Sequence, residues 1–150
     1  ILEPRNTRLN LPNAVGVPME DAIITATLIC SGILDKCPDL KVCIAHGGGP
    51  ACYLMGRIDR GWRGNTAEQY MPNPPSSYQK KLYYDCVVMS EPTLRFLVDQ
   101  VGADRVVLGS DWPFVPWDPN PVGWIQGLQS LTQDEKDSIL WKNLEALLGV

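Results

Sequence analysis

Three short apolar runs rich in β-branched residues, "LKVCIA", "KLYYDCVV" and "DRVVLG", stand between stretches whose apolar residues recur at helical spacing. That alternation constrains the fold most. A chain that returns repeatedly to the same end of a sheet crosses over through helices, which gives a parallel sheet. Strands are expected near residues 41–46, 82–86 and 105–110. "LKVCIA" is continuously apolar, as for a strand buried on both faces. Ahead of it, "PMEDAIITATLICSGILDK" opens on Pro18 with acidic residues in its first turn, and its helix is expected to break near Ser31–Gly32. "PACYLMGRIDRGW" predicts a second helix. "SEPTLRFLVDQVG" predicts a third, with Ser90 as N-cap and Gly102 at its end. "LTQDEKDSILWKNLEALLG" opens with the capping box Thr132–Glu135 and closes on Gly149. "NTAEQYMPNPPSS" and "VPWDPNP" read as Pro-rich connections.

The 150 residues, 45% hydrophobic and 20% charged, fit one globular domain over 1–150. A formal charge of −4 offers no basic face, so neither nucleic acid nor an anionic membrane is expected as a partner. No apolar run is expected to reach the ~18 residues that cross a bilayer, Asp21 to Leu34 being broken by Thr25, Thr27 and Ser31, and no signal peptide is read. Cysteines at 30, 37, 43, 52 and 86 are odd in number and form no C-x-x-C. They suit reduced thiols used as small hydrophobes in a cytoplasmic protein. The chain opens at Ile1 without an initiator Met and reads as part of something longer.

Parallel sheets place ligands at the carboxyl ends of their strands. His46, the sole histidine, falls at the end of the first strand, Asp85 at the end of the second and Asp111 just past the third. Three ionisable groups are thereby expected on one rim. Gly47 to Gly49 let the backbone turn tightly beside the imidazole and let a ligand approach.

"AHGGG", an Arg eleven residues beyond that His, "VVLGSDWPF" further on, "CPDLKVC" and the closing "KNLEALLGV" together resemble the amidohydrolase-related metal-dependent decarboxylases, the aminocarboxymuconate semialdehyde decarboxylase-like family. The resemblance implies the C-terminal part of a (β/α)8 barrel, carrying its last three strands, and one divalent metal, usually zinc. It puts the proton-handling role on His46, a metal-ligand role on Asp111 and the grip on a substrate carboxylate on Arg57, reaching across a homodimer or homo-oligomer. Trp112 and Phe114 would line the pocket, and Asp85 would orient neighbouring donors rather than react. The family's H-x-H pair and further His are not in this chain, and Asp111 alone does not hold zinc, which takes about four ligands.

The chemistry is coherent. A neutral imidazole passes a proton near neutrality, and a guanidinium matches a planar carboxylate with two parallel hydrogen bonds. The expected activity is therefore that of a decarboxylase acting on an aromatic or muconate-type carboxylic acid, a small-molecule substrate. A metal-dependent hydrolase of the same superfamily, using the same groups on a metal-bound water, is the alternative. An inactive truncated product lacking the H-x-H ligands is another, and the isolated chain is expected to be inactive and to associate through unpaired sheet edges. The HGGG loop of esterases is excluded by the lack of G-x-S-x-G and by a His that precedes the acids.

Overall fold

The computed structural model describes residues 9–64, 70–114 and 118–150, so parts of the two expected Pro-rich connections, and the opening eight residues, lie outside the described chain. Helices and strands alternate in the order α1 (Val17–Cys30), α2 (Ile33–Lys36), β1 (Cys43–Ile44), α3 (Ala51–Trp62), β2 (Tyr83–Asp85), α4 (Glu91–Val101), β3 (Val106–Val107), α5 (Pro121–Gly127), α6 (Gln133–Asp137) and α7 (Asn143–Leu148). The residues sort into two compact units, 1–42 with 48–82, and 43–47 with 83–150.

In the first unit, α1 buries Ala22, Thr25 and Ile29, a stripe at helical spacing. A π-helical turn at Pro12–Gly16 leads straight into it. The resulting stretch Pro12–Cys30 has 19 residues and a mean hydropathy of 1.2, enough by length and composition to cross a bilayer. This corrects the expectation that no such run exists. The hydroxyl of Thr25 folds back to donate to the Asp21 carbonyl at 2.7 Å, so an apparent polar interruption is buried and satisfied. Only 22% of that stretch is buried, along the Ala22–Thr25–Ile29 stripe. Gly32, at φ 72, breaks the helix as expected, and a Cβ there would lie 2.2 Å from the Tyr70 carbonyl oxygen. Asp35 on α2 accepts from the Tyr78 hydroxyl at 2.5 Å and the Lys81 ammonium at 2.9 Å.

The second unit holds the sheet. Its order is β1-β2-β3, all parallel, with Cys43 opposite Tyr83, Ile44 opposite Tyr84, Tyr84 opposite Val106 and Asp85 opposite Val107. Ile44, Tyr84, Val106 and Val107 join Leu94, Leu97, Val98 and Val101 of α4 and Ile125 and Ile139 in the core. The strands are shorter than the apolar runs predict, because ladder pairing ends where the chain turns into the loops at their carboxyl ends. β1 is also not buried on both faces. Cys43 is exposed and Ile44 buried, so only the face carrying Ile44 is covered.

Capping follows the sequence in part here: Ser90 sits at the N-cap of α4 and Gly102 at its end, but the Ser90 side chain makes no cap hydrogen bond. Thr132 and Glu135 form the reciprocal capping box, and Gly149 closes α7 in the left-handed region. The helix α5 was not expected. Asn120 caps it through Gly123 N–H, with Pro121 in the first turn. Buried Asn143 donates to the carbonyls of Ala103 and Val106, both at 2.7 Å, tying α7 to the start of β3. The fold is the expected part of an α/β barrel, three parallel strands with interleaved helices.

Candidate active site

The carboxyl ends of the three strands carry the candidate residues. His46 stands two residues past β1 at φ 52, and Asp111 lies four residues past β3 at φ 66. Both are non-glycine residues in the left-handed region, where the Cβ crowds the following carbonyl. Such strain persists only when the surroundings hold it, and it concentrates at functional sites. Met89, at φ 54 beyond β2, is a third case on this rim that sequence reasoning did not single out. Methionine is not among the residue types enriched at positive φ, so its identity gave no signal.

The triglycine has a stereochemical explanation. His46 through Gly49 all have positive φ, at 52, 60, 76 and 54, a left-handed turn that glycine enters freely. At Gly47 a Cβ would lie 2.6 Å from Val88 Cγ1 and 3.1 Å from Leu97 Cδ2, and at Gly49 one would lie 1.9 Å from the Pro18 carbonyl oxygen. Neither position has room for a side chain.

The turn brings His46 Nε2 to 3.5 Å from Asp111 Oδ1. That is an ion-pair distance if the imidazole is protonated and is longer than a well-formed hydrogen bond. The two side chains are 19% and 15% exposed, so both are sheltered yet reachable from solvent. The main chain of Asp111 has a separate task, because its carbonyl accepts from Phe114 N–H at 2.8 Å to close a turn. The capping of that turn therefore does not consume the carboxylate, which is left to face His46.

Asp85, the last residue of β2, accepts at Oδ1 from Gly47 N–H and from Val87 N–H, each at 3.0 Å. Burial pushes its carboxyl above the ordinary carboxylate value, while these backbone donors and His46 pull against that rise. His46, Asp85 and Asp111 thus meet in one unit, as the rim argument requires. Gly109, two residues before Asp111, was given no role from sequence, although it stands within "LGSD". A Cβ there would lie 2.9 Å from Val87 Cγ2 and 3.2 Å from Asp85 Cβ.

Trp112 and Phe114 are 69% and 63% exposed. The structure leaves both open to solvent beside Asp111. Arg57 stands on α3 in the first unit, exposed, and makes no ion pair among the described residues.

The sequence profile of the amidohydrolase family matches residues 5–150. The chain belongs to the amidohydrolase family. Within it, the chain is 34% identical over 142 residues to 2-amino-3-carboxymuconate-6-semialdehyde decarboxylase of Dictyostelium discoideum, covering 93% of this chain and 40% of that protein. It is 31% identical over 143 residues to the Caenorhabditis elegans protein of the same name, covering 93% of this chain and 35% of the other. A dihydroxybenzoic acid decarboxylase from Polaromonas sp. JS666, solved with bound manganese and the inhibitor 2-nitroresorcinol, superposes with a TM-score of 0.75 at 26% identity, over 88% of this chain and 40% of that one. This amidohydrolase chain therefore spans well under half the length of these relatives.

Proposed function

We propose that this chain supplies part of the active site of a metal-dependent decarboxylase acting on an aromatic or muconate-type carboxylic acid. The observation that carries the reading is the sheltered approach of His46 to Asp111 across a rim where both backbones are strained. Support comes from relatives that carry decarboxylase names and from the fold shared with the Polaromonas enzyme.

Among the described residues no group of three or more His, Cys, Asp or Glu side chains converges to hold a metal. Asp111 is one carboxylate donor. It does not make a site by itself, because zinc takes about four ligands. The family resemblance favours zinc, and the Polaromonas enzyme was solved with manganese. The roles proposed for the chain belong to its own side chains. His46 delivers a proton to the carbon that bears the carboxylate, forming a C–H bond. Loss of carbon dioxide then breaks the C–C bond, and its electron pair returns to the conjugated system of the substrate. Asp111, 3.5 Å from the imidazole, is proposed to hold it in place at the rim. Arg57, exposed and without an ion pair among the described residues, is proposed to grip a substrate carboxylate in the site of a second copy, which makes the enzyme a homodimer or homo-oligomer. Trp112 and Phe114 are proposed to cover the substrate's apolar face. Five free thiols fit a cytoplasmic setting.

The test uses the full-length protein with a divalent metal supplied. Carbon dioxide release from 2,6-dihydroxybenzoate and from an aminocarboxymuconate semialdehyde is followed beside ester and amide hydrolysis. Decarboxylation is expected, with His46→Ala lowering kcat by about 10²–10⁴-fold. Hydrolysis without carbon dioxide would move the protein to the hydrolases of the same superfamily.

A further inference from the structure

The end of the middle strand touches both turns that present the reacting side chains. On one side, Asp85 Oδ1 holds the Gly47 N–H, the peptide that directly follows His46, and the Val87 N–H of its own segment, both at 3.0 Å. On the other side lies Gly109, two residues before Asp111. Cys86 Sγ accepts from Gly109 N–H at 3.4 Å and donates to the Gly109 carbonyl at 3.7 Å. Asp85 Cβ and Val87 Cγ2 fill the space that a Gly109 side chain would need.

His46 and Asp111 pay for their left-handed backbones with strain that some contact must offset. A peptide N–H bonded to a carboxylate oxygen at 3.0 Å in a sheltered setting is such a contact, because a well-formed hydrogen bond fixes the orientation of the peptide that makes it. It thereby sets how the peptide following His46 lies, and with it the approach of the imidazole to Asp111. Asp85 Oδ1 is occupied by the two backbone donors Gly47 and Val87, and the His46 backbone also bonds to this carboxyl, so its grip is on the main chain that carries the imidazole.

We propose that Asp85 is a positioning residue for decarboxylation: it fixes the His46–Gly47 peptide through Oδ1 and, seated against Gly109, sets the distance between the His46 and Asp111 turns. This rests on the decarboxylase reading of His46. The partners orienting a functional His are worth about 10–100-fold in activity where they have been removed. The acceptor oxygen, more than the charge, is what the geometry demands. An asparagine at position 85 keeps that oxygen.

The experiment compares Asp85→Ala, Asp85→Asn and Gly109→Ala in the full-length protein. Two readouts are taken, kcat and KM for carbon dioxide release, and the rate at which diethyl pyrocarbonate modifies His46, followed by peptide mass spectrometry. Asp85→Ala is expected to lower kcat by about tenfold or more with KM within about twofold, and to change the His46 modification rate. Asp85→Asn is expected to restore both, and Gly109→Ala to shift both in the direction of Asp85→Ala. Unchanged kcat and His46 reactivity in Asp85→Ala overturn the proposal. So does Asp85→Asn as impaired as Asp85→Ala, which would place the effect in the charge. If Asp85→Ala does not fold, a sound Asp85→Asn with a slowed Gly109→Ala supports the proposal, and two unaltered variants overturn it. If the unsubstituted protein releases no carbon dioxide, the functional reading falls, while the His46 modification rates still decide the positioning.

Discussion

Replacing Gly47 by alanine puts the left-handed turn itself under test. The substitution adds one methyl group at φ 60, in a buried position, with Val88 Cγ1 2.6 Å and Leu97 Cδ2 3.1 Å from where it must go. Two penalties combine. A side chain in the left-handed region costs about 1–2 kcal/mol, and forcing a methyl into a filled core costs about 1–3 kcal/mol. The expected loss is therefore about 2–5 kcal/mol, a large share of the about 5–15 kcal/mol that holds a domain folded. Urea unfolding followed by tryptophan fluorescence measures it. Gly56→Ala is the control, because Gly56 lies inside α3 with nothing within 4 Å of its added Cβ. There, alanine should stabilise by about 0.5–1 kcal/mol, since it restricts the unfolded chain and favours helix. A Gly47→Ala loss below about 1 kcal/mol would refute the steric account. Equal losses in the two variants would refute it as well.

Two further outcomes follow from contacts described above. Asp35 is held below its ordinary carboxylate value of 3.8 by the hydrogen bond from Tyr78 and then by that from Lys81. A depressed carboxylate contributes fully above its unfolded value and loses that contribution as pH falls through the folded one. Asp35→Asn should thus lower the urea midpoint at pH 7, with the gap from the unsubstituted protein closing below about pH 4; a gap that widens in acid would reverse the assignment. Asn143→Ala strips donors from the carbonyls of Ala103 and Val106 and should cost about 1–3 kcal/mol in the same titration. Asn143→Asp supplies no N–H and should not restore the loss, so an Asn143→Asp protein as stable as the original would show that these bonds contribute nothing.

Legibility in the sequence followed the locality of the cause. Gly32, the Thr132–Glu135 box and Gly149 act within one turn of chain, and each ended or began a helix where its residue type predicts. The Asn120–Pro121 start of α5 carried the same kind of signal, but it was hidden in a Pro-rich stretch that reads as connection. The convergence of His46, Asp85 and Asp111 was legible because parallel strands share one carboxyl end. The backbone state of that rim was not. Positive φ at His46, Met89 and Asp111 leaves no mark on hydrophobic periodicity, which reports faces and not single backbone angles. Cys43 was misread for a related reason, because burial of a strand's second face depends on what packs against that face, which the apolar run does not encode.

The outer strands of the sheet have a consequence for how this chain meets its own copies. β1 and β3 each pair over only two residues, so each offers an incoming strand very few backbone groups to copy. Association through unpaired edges was expected from the sequence, but ladders this short leave backbone pairing little to add. Self-association of the 150 residues should then be governed by side-chain surfaces and mass action, reversible on dilution and blind to dyes that report cross-β stacking.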